Sequence, residues 1–223
     1  MTVGLRVLVV DDDFYVRQAL HSLLSKDQRI TMMGVAATPE EALQMIAVAQ
    51  AGSEADAILL DLEFKQSEIG GLEAIREMRR HAPKAKVLAL SISCQPDIVR
   101  AAIRAGVDGY LWKTEATDGV ATAVERACQG HFVVTESLLP TVTRITEGSV
   151  RPVWALPSGE RRYDLSRQVE NVARLFCING LSIKETAEEM NISENTVRAY
   201  VKSAYKALGT SSRLSAFQRL VAR

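Results

Sequence analysis

The sequence predicts two domains: an α/β domain on a doubly wound, five-stranded parallel sheet, followed by an all-α helix-turn-helix domain. Two observations predict this fold class. Residues 1–150 alternate short apolar runs with amphipathic segments, whereas from residue 165 onward the pattern is purely helical. The chain has 223 residues, of which 47% are hydrophobic, and this is sufficient for two domains with packed cores.

Charge is also divided unevenly along the chain. Of the 27 basic and 27 acidic residues, 15 and 20 lie in residues 1–150, and 12 and 7 lie in residues 151–223. An acidic half joined to a basic half is typical of a metal- or signal-binding module connected to a module that binds a polyanion.

The first half contains five predicted strands and five predicted helices in alternation. The strands are the short apolar runs Arg6–Val10, Ile30–Ala36, Ala57–Leu60, Lys86–Leu90 and Gly109–Trp112. The helices are the amphipathic segments Phe14–Ser25, Thr38–Ala51, Gly71–His81, Pro96–Ala105 and Thr117–Gly130. Such alternation implies right-handed crossovers and a parallel sheet covered on both faces. In these sheets functional groups gather beyond the carboxyl ends of the strands.

Between His131 and Ser158 the periodicity fades, and prolines and glycines punctuate the chain. We therefore predict a first domain over residues 1–132, a linker with one short helix near Ser137–Ile145 over residues 133–160, and a second domain over residues 161–223. The second domain contains four predicted helices. They are Leu165–Asn179, Ile183–Met190 with Ser182 and Glu185 as its capping box, Ser193–Leu208 ended by Gly209, and a last helix from Ser211 or Ser212 onward.

Several classes of protein and site are disfavoured. No apolar run approaches the length that crosses a bilayer, so we expect no membrane partner. The apolar run before the three N-terminal aspartates is too short for a signal peptide. Cys94, Cys128 and Cys177 are odd in number and widely spaced, which indicates reduced thiols and a cytoplasmic protein. The three histidines are isolated, and no nucleophilic triad is evident.

Polar side chains follow four of the five predicted strands. Asp11, Asp12 and Asp13 follow the first strand, Asp61 the third, Ser91 the fourth and Lys113 the fifth. Carboxylates from adjacent strands repel each other unless a cation bridges them, and a hard divalent ion such as Mg²⁺ suits oxygen ligands. Lys113 then offers a charge and Ser91 a hydroxyl to a phosphoryl group, with Asp61 as the nucleophile.

In the second half, one predicted helix carries a basic stripe. Arg198, Lys202 and Lys206 follow at four-residue steps, on a different face from the apolar stripe that begins at Val197. Such a stripe can meet phosphates and base edges if the helix enters the major groove of DNA. The alternative is a solvated face, in which Glu194 and Arg198 form an ordinary ion pair.

The segments VLVVDDD, ILLDLE, VLALSIS and AGVDGYLWK resemble the receiver domain of two-component regulators, with the closest match to the NarL/FixJ branch, over roughly residues 4–135. The resemblance implies that Asp61 accepts a phosphoryl group from a sensor histidine kinase. It implies that Asp12, Asp61 and the backbone carbonyl of Glu63 hold Mg²⁺, with Asp11 acting through water. Ser91 and Tyr110 match the family's switch pair, in which the hydroxyl moves to the phosphoryl group and the ring turns inward.

This sequence departs from the receiver pattern after the phosphoacceptor. The family's Met-Pro pair is missing, and the loop to Gly70-Gly71 is two residues longer than usual. Asp13 replaces a frequent histidine; it either tightens cation binding or is solvated, and we expect the latter. Glu63 lies near the expected path of the hydrolytic water, so we hypothesise that it tunes the lifetime of the phosphoryl group.

Residues 165–223 resemble the LuxR-type helix-turn-helix, most specifically from Gly180 onward. The resemblance implies that Arg198, Ala199 and Lys202 face DNA bases or phosphates and that Lys184 and Thr196 contact the DNA backbone. The last helix resembles the family's dimerisation helix, which would use Ser212, Leu214, Ser215, Phe217 and Gln218.

We therefore expect a DNA-binding transcriptional response regulator rather than an enzyme. Phosphorylation at Asp61 shifts a conformational population and controls homodimerisation on promoter half-sites. One alternative is a transcription factor whose receiver is not controlled by phosphorylation, as the altered loop suggests. A second is a phosphohydrolase with Asp61 as nucleophile and Glu63 as acid, but that motif belongs on the first strand of its fold and here it follows the third.

Overall fold

The computed structural model describes residues 4–50, 52–65, 67–116, 119–146, 151–156 and 165–213, together with residues 216 and 220. The chain divides into two compact units, Met1–Ser158 and Gly159–Arg223. Within the described residues, no helix has the length and apolar character that crossing a membrane requires. Cys94, Cys128 and Cys177 are free cysteines.

The first unit is built on one parallel sheet with the strand order β2-β1-β3-β4-β5-β6-β7. Its strands are β1 Leu5–Val10, β2 Ile30–Ala36, β3 Ala57–Asp61, β4 Lys86–Ser91, β5 Gly109–Trp112, β6 Phe132–Thr135 and β7 Val153–Leu156. Its α-helices are α1 Phe14–Leu24, α2 Pro39–Val48, α3 Gly71–His81, α4 Pro96–Ala105, α5 Lys113–Ala116, α6 Val120–Cys128 and α7 Leu139–Ile145, with a 3₁₀ helix at Glu136–Leu138.

Side chains alternate across the sheet and create two cores, one on each face. Leu8 and Val10 of β1 lie in the cluster that includes Ile75 of α3. Val7 and Val9 lie in the opposite cluster, which includes Leu20 of α1. Because both faces are covered, the central strands are continuous apolar runs, and polar residues occur at their ends.

The prediction of five strands is wrong, because the sheet has seven. β6 pairs with β5 through Gly109 and Val133, and β7 pairs with β6 through Thr135 and Leu156. Both added strands lie in the stretch 133–160, apart from Phe132, that was interpreted as a linker. Each is only four residues long and lies near proline or glycine, so neither shows a repeating pattern on its own. The short helix predicted in this stretch is present as the 3₁₀ helix and α7.

The second unit contains α8 Arg167–Cys177, α9 Ile183–Met190 and α10 Glu194–Leu208. Serine hydroxyls begin all three: Ser166 accepts from the amide of Val169, Ser182 from Glu185 and Ser193 from Thr196. Asn191, in the left-handed conformation, ends α9 and turns the chain into α10. Beyond Gly209, helical geometry is described at Arg213, Ala216 and Leu220.

Candidate functional site

Four polar side chains meet at the carboxyl edge of the first unit's sheet. Asp11 follows β1, Asp61 ends β3, Ser91 ends β4 and Lys113 follows β5, as the sequence predicts. Asp11, Asp61 and Ser91 are buried, with at most 2% of each exposed. Parallel strands that end at one edge of a sheet place side chains distant in sequence within reach of one another.

Lys113 lies between the two buried carboxylates. Its Nζ is 2.7 Å from Oδ2 of Asp11 and 2.8 Å from Oδ2 of Asp61. Burial alone lowers the pKa of Lys113, but the charges and hydrogen bonds of Asp61 and Asp11 raise that pKa above its ordinary value. The ammonium group is therefore a permanent positive charge at the floor of an acidic pocket.

Asp11, Asp12 and Asp61 form a potential metal site. Each offers one carboxylate oxygen, and these three atoms lie within 4.8 Å of one another. Burial raises the pKa of Asp61 to about 7; the charge of Lys113 opposes this rise, and the charge of Asp11 adds to it. Two buried acids beside one lysine retain an excess of negative charge, which a cation would neutralise.

Asp13 does not belong to this cluster of carboxylates. Its Oδ1 accepts hydrogen bonds from the amides of Tyr15, at 2.7 Å, and Val16, at 3.1 Å. Asp13 is therefore the N-cap of α1. The sequence-based alternatives for Asp13 were cation binding and solvation, and this capping role was not among them.

The loop after Asp61 is held by hydrogen bonds to Asp61 and to Asp12, one on each side of the pocket. The amide of Glu63 donates to Oδ1 of Asp61, at 3.1 Å, and the amide of Lys65 donates to Oδ2 of Asp12, at 2.8 Å. Further along, Glu40 of α2 accepts from the Ser67 hydroxyl, at 2.9 Å, and from the Ile69 amide, at 3.2 Å. The lengthened loop is thus anchored to the acidic residues and to α2.

Sequence reasoning missed two residues that support this loop. Glu40 lies in the predicted helix Thr38–Ala51 and was given no other role, yet its carboxylate accepts hydrogen bonds from the far end of the loop. Gly71, the first residue of α3, lies against the backbone of Leu62, and a Cβ there would collide with the Leu62 carbonyl oxygen. Only glycine permits this approach, and the Gly70-Gly71 pair is the sequence signal that could have indicated it.

The predicted switch residues occupy a continuous hydrogen-bonded path. Ser91 Oγ donates to Oε1 of Glu63, at 3.1 Å, and accepts from the amide of Ser93, at 2.9 Å. The Tyr110 hydroxyl donates to the Ser93 carbonyl oxygen, at 2.8 Å, and Tyr110 is fully buried. The ring, expected to turn inward on phosphorylation, lies inward in this structure.

Trp112 lies on the same side of β5 as Tyr110 and forms a hydrogen bond to the peptide group that precedes the one bound by Tyr110. Its indole Nε1 donates to the carbonyl oxygen of Ile92, at 2.7 Å. Aromatic side chains of β5 therefore bind two successive carbonyls of the β4–α4 loop. The conformation of that loop is coupled to both rings.

In the second unit, α9 and α10 form a helix-turn-helix. Val197, Val201, Ala204 and Leu208 are buried, as predicted. Arg198, Ala199 and Lys202 are exposed on other faces of α10, and Lys184 on α9 is also exposed. The Thr196 hydroxyl lies 2.8 Å from that of Ser193, within the cap of α10.

A groove of about 600 Å³ follows α10. Phe176, Ile183 and Val201 supply apolar lining, and Arg198, Lys202 and Lys206 line it as well. Arg198 also lies 3.4 Å from Glu194, an exposed pair of the kind expected from sequence. The basic stripe therefore lies beside an open concave surface.

Of the predicted dimerisation residues, the structure describes Ser212. Ser212 is exposed, and its carbonyl oxygen accepts from the Ala216 amide, at 2.9 Å, at the start of the last helix. Leu214, Ser215, Phe217 and Gln218 lie outside the described residues.

Comparison with known families identifies both units. Residues 7–125 match the family described as "Response regulator receiver domain". Residues 165–220 match "Bacterial regulatory proteins, luxR family". Both descriptions are of regulatory proteins.

Relatives share nearly the whole chain. The nitrate/nitrite response regulator protein NarL of Escherichia coli K12 is 27% identical over 210 residues, which cover 94% of this chain and 92% of that protein. The response regulator protein VraR of Staphylococcus aureus Mu50 is 28% identical over 213 residues, covering 95% and 94% respectively.

Solved structures show the same fold. A structure of the response regulator RcsB of Salmonella typhimurium is 21% identical, covers 99% of each chain and has a TM-score of 0.57. RcsB of Salmonella enterica serovar Typhimurium bound to promoter P1flhDC with the phosphomimetic BeF₃⁻ is 22% identical over 98% of each chain, with a TM-score of 0.56. The chain belongs to the response regulators, with a receiver domain followed by a regulatory domain of the luxR family.

Proposed function

We propose that this regulator is phosphorylated on Asp61 by a sensor histidine kinase, and that phosphorylation controls dimerisation and promoter binding. The observation that carries the proposal is the pair of contacts from Lys113 to Asp11 and Asp61 at the carboxyl edge of the sheet. A lysine placed there can neutralise a phosphoryl group on Asp61, and Ser91 on the adjacent strand can donate a hydrogen bond to it.

The transfer is a displacement at phosphorus. An oxygen of Asp61 attacks the phosphoryl group carried by the histidine of the kinase, a P–O bond forms, and the P–N bond breaks with its electron pair left on the imidazole. Lys113 neutralises the charge that reaches the Asp61 carboxyl. The loop contacts of Glu63 and Lys65 fix the backbone beside the reacting carboxylate.

The residues present fit a magnesium ion. Asp12, Asp61 and the backbone carbonyl of Glu63 would hold it, with Asp11 acting through water. The clustering of carboxylate oxygens and the raised pKa of Asp61 support a cation at this point. When bound, Mg²⁺ shields the negative charges of Asp61 and the incoming phosphoryl group from each other.

We infer that α10 is the helix that reads DNA. Arg198, Ala199 and Lys202 would face bases or phosphates in the major groove, while Lys184 and Thr196 would contact the backbone. Two such helices in a homodimer would meet half-sites about one helical turn apart. The dimer would use the last helix, with Ser212, Leu214, Ser215, Phe217 and Gln218. The RcsB structure with promoter DNA is consistent with this use of the fold.

Regulation rather than substrate turnover is the role that both matched families favour. We also infer that the protein is cytoplasmic, because there it can reach both the kinase domain of its sensor histidine kinase and the DNA. Neither inference depends on the particular signal that the kinase detects.

Intact mass after incubation with Mg²⁺ and acetyl phosphate tests the proposal. We expect one phosphoryl adduct on the wild type and none on Asp61→Asn. The matched control is Asp97→Asn on α4, where the aspartate side chain is 92% exposed and pairs with Arg100 of the same helix; it should be phosphorylated as the wild type is. An adduct on Asp61→Asn, or none on a folded wild type, would contradict the assignment.

A further inference from the structure

Glu63 crosses from the loop after β3 to the end of β4. Its amide donates to the phosphoacceptor carboxylate, and its own carboxylate accepts a hydrogen bond from the Ser91 hydroxyl, at 3.1 Å. The turn at Asp61 thus places an anionic side chain on the hydroxyl that would otherwise be available to a phosphoryl oxygen.

The carboxylate of Glu63 also interacts with Lys113 and Ser91 of the pocket. Although Glu63 as a whole is exposed, burial of its carboxyl end raises the pKa of Glu63; the charge of Lys113 and the hydrogen bond from Ser91 oppose this rise. Lys113 and Ser91 are the two groups that the proposed function assigns to the phosphoryl group. A single anion already interacts with both.

The effect of this anion extends to Tyr110. Ser91 Oγ, oriented by its bond to Glu63, accepts the Ser93 amide, and the Ser93 carbonyl accepts the Tyr110 hydroxyl. Tyr110 is fully buried. The path therefore runs without interruption from the Glu63 carboxylate to the inward-facing ring.

We propose that the side chain of Glu63 is an internal substitute for the phosphoryl group, a positioning residue that holds Ser91 and Tyr110 in the inward arrangement before any phosphate is bound. This inference rests on the proposed function, since it concerns the regulation of the same pocket. A ligand shifts an equilibrium only by its differential affinity for the two states. A carboxylate that already favours the inward state therefore reduces the shift that phosphorylation can add and gives the regulator phosphate-independent activity.

Hydrogen–deuterium exchange of the full chain tests whether Glu63 stands in for the phosphoryl group. The Ser93 amide is the reporter because it donates to Ser91 Oγ. Wild type, Glu63→Ala, Glu63→Gln and Glu68→Ala are compared with and without Mg²⁺ and beryllofluoride, a stable phosphoryl mimic. Glu68 is an exposed acid in the same loop, so its variant controls for the loss of one negative charge.

Without beryllofluoride, residues 91–96 should exchange about fivefold faster in Glu63→Ala than in the wild type, the factor expected for one ordinary hydrogen bond. Glu63→Gln keeps an acceptor and should lie between them, and Glu68→Ala should match the wild type. Beryllofluoride should return Glu63→Ala to the wild-type rate. Equal rates in Glu63→Ala and the wild type, or equal acceleration in Glu68→Ala, would overturn the inference.

The same data separate this inference from the proposed function. If Glu63→Ala exchanges faster but beryllofluoride protects no variant, Glu63 positions Ser91 while Asp61 does not serve as the acceptor site. If the exchange rates of residues 91–96 with beryllofluoride bound differ between the wild type and Glu63→Ala, the phosphoryl group and Glu63 do not impose the same arrangement. That result would refute the proposal that Glu63 stands in for the phosphoryl group.

Discussion

The backbone amide of Trp112 donates a hydrogen bond to the hydroxyl of Thr135, 3.3 Å away. Trp112 immediately precedes Lys113, and Thr135 ends β6 opposite Leu156 of β7. Of the two strands absent from the five-strand prediction, β6 is therefore joined directly to β5, the strand that leads into the pocket lysine, and β7 is joined to β6. Leu156, near the boundary of the first unit, lies at the same carboxyl edge as the acidic pocket.

Thr135→Val should destabilise the first unit by about 1–3 kcal/mol, because it removes the hydroxyl acceptor and leaves a buried amide without that partner. Thr135 is fully buried, so little water can replace the bond. Urea unfolding followed by tryptophan fluorescence measures the effect. Thr143→Val, on an exposed position of α7, is the matched control and should change stability by less than about 0.5 kcal/mol.

Asp108 should be more important for stability than any one of its cationic partners. This carboxylate, 2% exposed, pairs with Arg79 and with Arg151 and accepts from the Val87 amide, at 2.9 Å. Asp108→Ala leaves these groups without their shared anion and should cost about 3–5 kcal/mol.

Arg151→Ala should cost about 1 kcal/mol or less, because the Arg151 side chain is 49% exposed and its charge is screened by water. Chemical denaturation of both variants provides the comparison. Equal losses of stability in Asp108→Ala and Arg151→Ala would show that the buried carboxylate is not the centre of this cluster.

The metal-free protein should become less stable as the pH rises through about 7. The pKa of Asp61 is raised from its ordinary value to about 7 in the folded protein, first by burial. Folding therefore favours the protonated carboxyl, and the associated stability, present below the unfolded pKa, is lost as Asp61 ionises. Asp61→Asn should have a higher Tm than the wild type at pH 8 in EDTA, with a smaller difference at pH 5.5.

Mg²⁺ should reverse this order. Binding to the folded wild type raises its Tm at pH 8 by mass action, whereas Asp61→Asn lacks one carboxylate ligand and should respond less. Thermal unfolding over a range of Mg²⁺ concentrations checks the prediction. An equal rise in both proteins would place the responding ion elsewhere.

Lys202→Ala should weaken binding to mixed-sequence double-stranded DNA and reduce the slope of log affinity against log salt by about one unit. The reason is the release of one counterion fewer when one phosphate contact is lost. Fluorescence anisotropy at several salt concentrations gives the slope. Lys26→Ala, an exposed lysine of the first unit, serves as the control, and an unchanged slope in Lys202→Ala would remove Lys202 from the interface.

Much of the first unit could be predicted because its signals are local. The central strands are buried on both faces, and their polar ends at Asp11, Asp61, Ser91 and Lys113 stand out against apolar runs. β3 and β4 differ from the predicted ranges by one residue, and α3 and α4 match them. The predicted fifth helix, Thr117–Gly130, corresponds to α6, whereas the short helix α5 lies before that range and was not predicted.

What could not be predicted depends on contacts between distant segments. Phe132–Thr135 becomes a strand because β5 offers it an edge, and Val153–Leu156 does so because β6 then offers the next. Glu40 acts on Ser67 and Ile69 across 27 and 29 residues. Asp13 was interpreted through the chemistry of its neighbours, although an aspartate before an amphipathic helix is also an ordinary N-cap.

Sedimentation velocity of the full chain, with and without Mg²⁺ and beryllofluoride, tests whether the Asp61 pocket controls assembly. We expect the weight-average sedimentation coefficient of the wild type to rise with beryllofluoride, to rise from a lower starting value in Glu63→Ala, and to stay constant in Asp61→Asn. If the sedimentation coefficient of the wild type does not change, although mass spectrometry shows that Asp61 can be phosphorylated, the pocket does not control assembly.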